Sequence, residues 1–295
     1  MASMRATLVL AALGLANGCG RLRFADLGDA APLDAGCTFG PWSAPRPLTE
    51  LSSTADDYGP WLSPDRLTAL VSSNISGDFQ ILLAQRATVQ SPFTAPTVIP
   101  LGPGAYGDPW LSPDGLTLWI DSSPATSILS ATRASVSEAF ATPIVETELA
   151  LGKPEVNPGL SLDQLTIAFD TLTTPQHIYI ATRTSVADAF SAPQSPPSLD
   201  VATQQCCVSF SGDGTFMLLG SDLATPGVKH IVQVADNGDG TFGAPIEFAP
   251  TLVGNDGTDD TDPYITPGGD AVIFASQRAP GIGSHDIFEV DRECL

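Results

Sequence analysis

One strand-turn-strand unit recurs five times along the chain, and it constrains the fold more than any other feature. The copies align without gaps as 60–71, 109–120, 158–169, 208–219 and 263–274. They begin Pro60-Trp-Leu-Ser-Pro-Asp65, Pro109-Trp-Leu-Ser-Pro-Asp114, Pro158-Gly-Leu-Ser-Leu-Asp163, Val208-Ser-Phe-Ser-Gly-Asp213 and Pro263-Tyr-Ile-Thr-Pro-Gly268. The Ser or Thr falls at 63, 112, 161, 211 and 266, in steps of 49, 49, 50 and 55. A fixed period of this length marks a repeat architecture, in which each unit buries its faces against its neighbours. The turn has a mechanism: Pro presets φ, Asp caps the turn with its side chain, and Gly accepts positive φ. The flanks are apolar and β-branched, as strands prefer.

A third element follows in every copy, and in four of the five an Arg recurs at its end, at 86, 133, 183 and 292. A residue repeated at one place in each unit is expected to make a structural contact, at a strand end or between blades. A fourth element carries Phe-x-x-Pro at Phe93/Pro96, Phe140/Pro143, Phe190/Pro193 and Phe242/Pro245. The fifth copy lacks it, and Trp42-Ser-Ala-Pro45 supplies a counterpart at the other end of the chain. Four strands in each of five units predict an all-β, five-bladed β-propeller whose ring is closed by the N-terminal strand, which removes exposed sheet edges. A six-bladed ring with one degenerate unit is the alternative. The blades are expected at about 58–97, 106–144, 155–194, 205–246 and 260–294, the last completed by 39–47.

The N-terminus predicts export. Arg5 precedes an apolar run from Ala6 to Ala16, the length of a signal-peptide core and too short to span a bilayer. The run ends Leu15-Ala-Asn-Gly-Cys19, which resembles a bacterial lipobox. That resemblance implies a signal peptide over 1–18, a lipid on Cys19 and a flexible tether over 19–36. Gly20 after the cysteine implies an outer-membrane address rather than inner-membrane retention. Four cysteines then remain for an oxidising compartment. Cys37 and Cys294 flank the repeats, so a bridge between them would tie the ends together. Cys206 and Cys207 are adjacent and could pair with each other or stay reduced. No Cys-x-x-Cys or Cys/His cluster favours metal.

The repeat resembles the WD-like propeller repeats of the TolB type, over about residues 39 to 294. Copies one, two and five carry the resemblance, whereas copy three has Leu162 and Gln164 in the turn and copy four has Gly212. It implies a periplasmic or surface-exposed binding scaffold. TolB itself adds an N-terminal domain and a sixth blade, so the repeat rather than TolB's role is what the resemblance implies.

The formal net charge of −21, from 12 basic and 33 acidic residues, repels phosphate backbones and excludes nucleic acid as a natural partner. The expected partner is a protein or envelope component bound by a monomer, with the lipid as the only membrane contact. Residues just before the first strand of each copy should ring one channel mouth. Candidate ligand contacts are Tyr58, Trp61, Tyr106, Trp110, Asp260 and Asp262, with aromatic faces beside carboxylates. No cofactor is expected, although the oxygen-rich loop 255–262 could hold calcium.

No catalytic set is compelling. Some five-bladed glycosidases place Asp, Asp and Glu from successive blades around the channel, and Asp57, Asp108 and Glu155 occur in that order. Paired carboxylates could divide acid and base work, so a carbohydrate-binding or glycoside-hydrolysing propeller is the alternative function. The histidines His177, His230 and His285 fall at one equivalent place in three blades and should sit far apart.

Overall fold

A computed structural model describes residues 37–123, 126–199, 203–252 and 257–295. The expected signal peptide, Cys19 and the tether lie outside the described residues, as does part of the oxygen-rich loop. After a short strand Arg46–Pro47 (β1), blade one is Asp57–Leu62 (β2), Thr68–Ser73 (β3), Gln80–Gln85 (β4) and Thr97–Val98 (β5). Blade two is Ala105–Leu111 (β6), Thr117–Ser123 (β7), Ile128–Thr132 (β8) and Ile144–Val145 (β9). Blade three has Glu155–Leu160 (β10), Thr166–Thr171 (β11) and Ile178–Thr182 (β12), and its fourth strand is reduced to a bridge between Ile180 and Gln194. Blade four is Gln205–Phe210 (β13), Phe216–Thr225 (β14), Val228–Ala235 (β15) and Ile246–Glu247 (β16). A one-turn helix, Ala249–Leu252 (α1), then leads to Asp260–Ile265 (β17), Ala271–Ser276 (β18) and Asp286–Asp291 (β19).

The five sheets are antiparallel meanders, and the ring has five blades, not six. The last sheet runs β1-β19-β18-β17. Arg46 pairs with Glu289 and Pro47 with Phe288, so the N-terminal strand closes the ring as the misplaced fourth motif requires. Phe39 bridges Cys294, and the sulfurs of Cys37 and Cys294 are bonded beside it.

The middle strands sit between neighbouring blades and are buried on both faces, so they read as continuous apolar runs. All six residues of β18 are buried, and Phe169, Phe274 and Phe288 are among the largest side chains with almost no exposure. The repeated turn works as its residues predict. Ser63 Oγ donates to Asp65 Oδ1 at 2.5 Å and accepts from the Thr68 N–H at 2.9 Å. The same contacts recur at Ser112/Asp114, Ser161/Asp163 and Ser211/Asp213.

The recurrent arginines lock this turn from within their own blade, and two also reach the neighbouring one: Arg86 stands 3.8 Å from Glu289, and Arg183 lies 5.9 Å over the Trp119 ring. Arg86, Arg133, Arg183 and Arg292 donate from Nε to the carbonyls of Arg66, Gly115, Gln164 and Gly269 at 2.7–2.8 Å. Three of these guanidiniums stack on Phe93, Phe140 and Phe190, at 4.3–4.4 Å from the ring centres. Arg292 stacks on Phe39 and Trp42. Trp42 therefore fills the place of the missing Phe, which ties the closing strand to the repeat it completes.

Among the described residues, no helix is long and apolar enough to cross a membrane.

Candidate functional site: an acidic ring in the central channel

The innermost strands β2, β6, β10, β13 and β17 each carry a bulge at one equivalent place, seen as a register shift against the second strand. Its central residue is left-handed in every blade: Gly59, Asp108, Asn157, Cys207 and Asp262, with φ between 47° and 65°. Four of the five are followed by proline, at Pro60, Pro109, Pro158 and Pro263. Proline lacks the N–H of a paired strand, so it suits a bulged innermost edge. Asn and Asp tolerate left-handed backbone better than most residues.

These residues line a narrow cavity of about 40 Å³ on the axis, together with Trp110, Ser209 and Tyr264. That volume is room for about three waters, far below a typical small-molecule site.

Carboxylates on the second strands hold the bulges in place. Asp121 Oδ2 accepts the Asn157 N–H at 3.1 Å, and Asp170 Oδ1 accepts the Cys207 N–H at 3.0 Å. Each contact joins one blade to the next. Asp170 also accepts from Asn157 Nδ2 at 2.7 Å and Gln176 Nε2 at 3.0 Å. Burial nevertheless raises its pKa to about 7. Asp108 is hydrogen bonded to Asp121, and burial beside Asp121 and Asp262 holds the Asp108 carboxyl well above the usual range. Burial raises Asp121 as well, so these adjacent carboxyls hold a proton above the usual carboxylate range. Asp262 is also raised by burial, opposed by the nearby Lys229 charge.

The sequence candidates divide. Asp108, Trp110 and Asp262 line the cavity. Asp57 and Glu155 do not: both are buried and act as loop caps. Asp57 Oδ2 accepts the Ser53 N–H at 2.5 Å, and Glu155 Oε1 accepts the N–H groups of Leu151 and Lys153 at 2.7 and 3.2 Å. The expected trio of Asp57, Asp108 and Glu155 therefore contributes one residue to the channel, because the bulge turns the residue two places further on toward the axis in blades one and three. Asp260 is fully buried and accepts from Arg278 Nη2 at 2.5 Å. Trp61 is 3% exposed and packs on Tyr264 across the blade interface, not in the mouth. The Tyr58 hydroxyl meets His285 Nδ1 at 2.7 Å, while the Tyr106 hydroxyl donates to the Pro103 carbonyl at 3.1 Å. Cys206 and Cys207 are bonded to each other.

Asp121 and Asp170 escaped sequence reasoning. Their signal is a carboxylate ending an apolar second strand, in Leu118-Trp-Ile-Asp121 and Ile167-Ala-Phe-Asp170, where the other copies carry Ser72, Gly220 and Ala275.

No family model matches the chain, and no curated protein matches it in sequence. Solved structures do match in shape. A GH62 α-L-arabinofuranosidase catalytic domain from Coprinopsis cinerea superposes with a TM-score of 0.59 at 11% identity, covering 86% of this chain and 98% of the other. An α-L-arabinofuranosidase from Podospora anserina, solved with cellotriose, gives 0.58 at 14% identity over 84% and 95%. A protein described as TolB from Agrobacterium tumefaciens gives 0.50 at 15% identity over 85% and 97%. What they share with this chain is the fold. Identities this low carry no activity across, since propellers host many chemistries.

Proposed function

We propose that this chain is an exported, lipid-anchored propeller that acts as a non-enzymatic binding scaffold, recognising a protein or envelope component at its channel-mouth face. The observation that carries this reading is the rim of that face. The outer end of the second strand in blade four presents Leu223, and the connections from second to third strand elsewhere present Ile75, Leu172 and Ile282, 45–58% exposed. They lie at the same end of their blades as Asp57, Glu155, Gln205 and Asp260, which pair with the ends of the second strands. Exposed aliphatic tips around an acidic centre suit a partner that is both apolar and basic. Cys19 would supply the anchor, by resemblance to a lipobox.

Photo-reactive residues placed at Ile75 and Leu172 test this in intact cell envelopes. Val136 and Val186, exposed on the opposite face, are the controls. Capture of one partner from the mouth positions alone supports the scaffold. Equal capture from both faces, or none from the mouth, overturns it.

A glycosidase is the second reading, and one observation favours it: burial holds the adjacent Asp108 and Asp121 carboxyls above the usual range, and paired carboxyls can divide acid and base work. Against it, hydrogen-bonded carboxyls are closer than the ~5–9.5 Å that glycoside hydrolysis uses. Release of arabinose from arabinofuranosides that is lost in Asp108→Asn would establish this second reading and displace the scaffold.

A further inference from the structure

We propose that Cys206, Cys207 and Asp262 form a redox-gated binding site for a thiophilic metal cation. In a regular strand, adjacent side chains point to opposite faces. The bulge in β13, with Cys207 at φ 65°, brings both sulfurs to one side. The equivalent bulge of the next blade brings Asp262 to the same place. One ligand atom from each of the three residues lies within 4.8 Å of the other two, and their exposures are 1%, 8% and 9%. The Thr261 hydroxyl stands 3.4 and 3.5 Å from the two sulfurs.

Gly220 makes room for this cluster. A Cβ there would lie 3.1 Å from Cys206 Sγ and 3.4 Å from Thr261 Oγ1. Its counterparts Ser72, Asp121, Asp170 and Ala275 all carry side chains, and the Gly220 backbone is not left-handed, so the glycine serves space rather than conformation. Cys207 and Asp262 both line the axial cavity, which offers an ion a path and room for water.

While the sulfurs are bonded to each other they cannot act as thiolates. A dithiol reductant changes this. It passes two electrons to the bond, each sulfur takes a proton, and the reductant leaves as its own disulfide. A divalent cation then displaces the two thiol protons and gains a dithiolate-carboxylate set, with a water in the fourth position. Sulfur ligands select zinc, cadmium or monovalent copper over calcium and magnesium. A disulfide oxidant reverses this by thiol–disulfide exchange: it takes the two electrons and leaves as a dithiol, the two sulfurs bond again, and the ion is released. This site is independent of what binds at the outer face.

The test uses the full chain, reduced with a phosphine under argon and titrated with Cd²⁺ against the sulfur-to-cadmium ultraviolet band. Reduced wild-type protein should take up one ion with its far-ultraviolet dichroism unchanged, and the oxidised protein none. Cys37→Ser/Cys294→Ser should still bind, which sets aside the terminal pair. Cys206→Ser/Cys207→Ser should lose the band. Asp262→Asn should bind about tenfold more weakly or worse. A band that survives in Cys206→Ser/Cys207→Ser, an unaltered affinity in Asp262→Asn, no band in reduced wild type, or unfolding on reduction would each overturn the proposal.

Discussion

Arg66 Nη2 lies 2.5 Å from Glu289 Oε1, joining the first blade to the last across the seam where the ring closes. Glu289 is fully buried, and Arg46 of the closing strand binds its other oxygen. Arg66 also contacts Asp291 at 3.1 Å and Asp270 at 3.3 Å. Its backbone is left-handed, with φ 60°, at the turn position that Gly115, Gly214 and Gly269 occupy elsewhere. A side chain there costs about 1–2 kcal/mol, and the ion pair offsets it. Removing one partner of a buried pair strands the other, so Glu289→Gln should lose about 3 kcal/mol in urea unfolding. Glu293→Gln, on the exposed side of the same segment, should change stability by less than about 0.5 kcal/mol.

The arginine clamp makes a separate prediction. Arg133 donates from Nε to the Gly115 carbonyl at 2.7 Å while its plane covers Phe140 at 4.4 Å. Lysine can offer neither the in-plane Nε donor nor the flat face. Arg133→Lys should therefore lose nearly as much as Arg133→Ala, about 1–2 kcal/mol in chemical unfolding. Full rescue by lysine would show that charge alone is what the position needs.

The repeat made the blade count and the closure legible, because a missing Phe-x-x-Pro at one end and a spare Trp42-Ser-Ala-Pro45 at the other can be matched by eye. The channel was less legible. Asp57, Glu155 and Asp260 look like mouth residues when each strand is taken as regular, since they stand at its start. A bulge is a backbone event, and its sequence trace is only the proline after it. Once Gly59, Asp108, Asn157, Cys207 and Asp262 are recognised as the residues before Pro60, Pro109, Pro158, Val208 and Pro263, the axial ring follows. Asp121 and Asp170 needed the next blade's N–H groups in view, which no single repeat contains.

The bond between Cys37 and Cys294 spans 257 residues of sequence and sits beside the Phe39–Cys294 bridge. Constraint of so long a loop in the unfolded chain is worth about 5 kcal/mol by chain entropy. Cys37→Ser/Cys294→Ser should therefore unfold at markedly lower denaturant. Non-reducing peptide mapping of the wild type should recover 37 joined to 294 and 206 joined to 207 in one peptide. Free thiols at 37 and 294 would remove this source of stability.

The channel carboxyls make stability depend on pH in a stated direction. Burial raises Asp108 well above the usual range and lifts Asp170 to about 7. In the unfolded chain both release their protons near an ordinary aspartate pKa of about 4. Above that value the folded protein holds more protons than the unfolded one, so stability falls as pH rises. The fall should run from about pH 4 to about pH 7 for Asp170, and Asp108 adds to it in the same direction. Asp108→Asn replaces the protonated acid by a permanent donor to Asp121. Asn157 shows that asparagine fits this ring position, at φ 57°. The variant should therefore match the wild type near about pH 4, exceed it near about pH 8, and show a shallower slope between. Urea unfolding across that range is the measurement. A variant less stable than the wild type at the alkaline end would mean that Asp108 is ionised in the folded channel, and the shared proton would have to be abandoned.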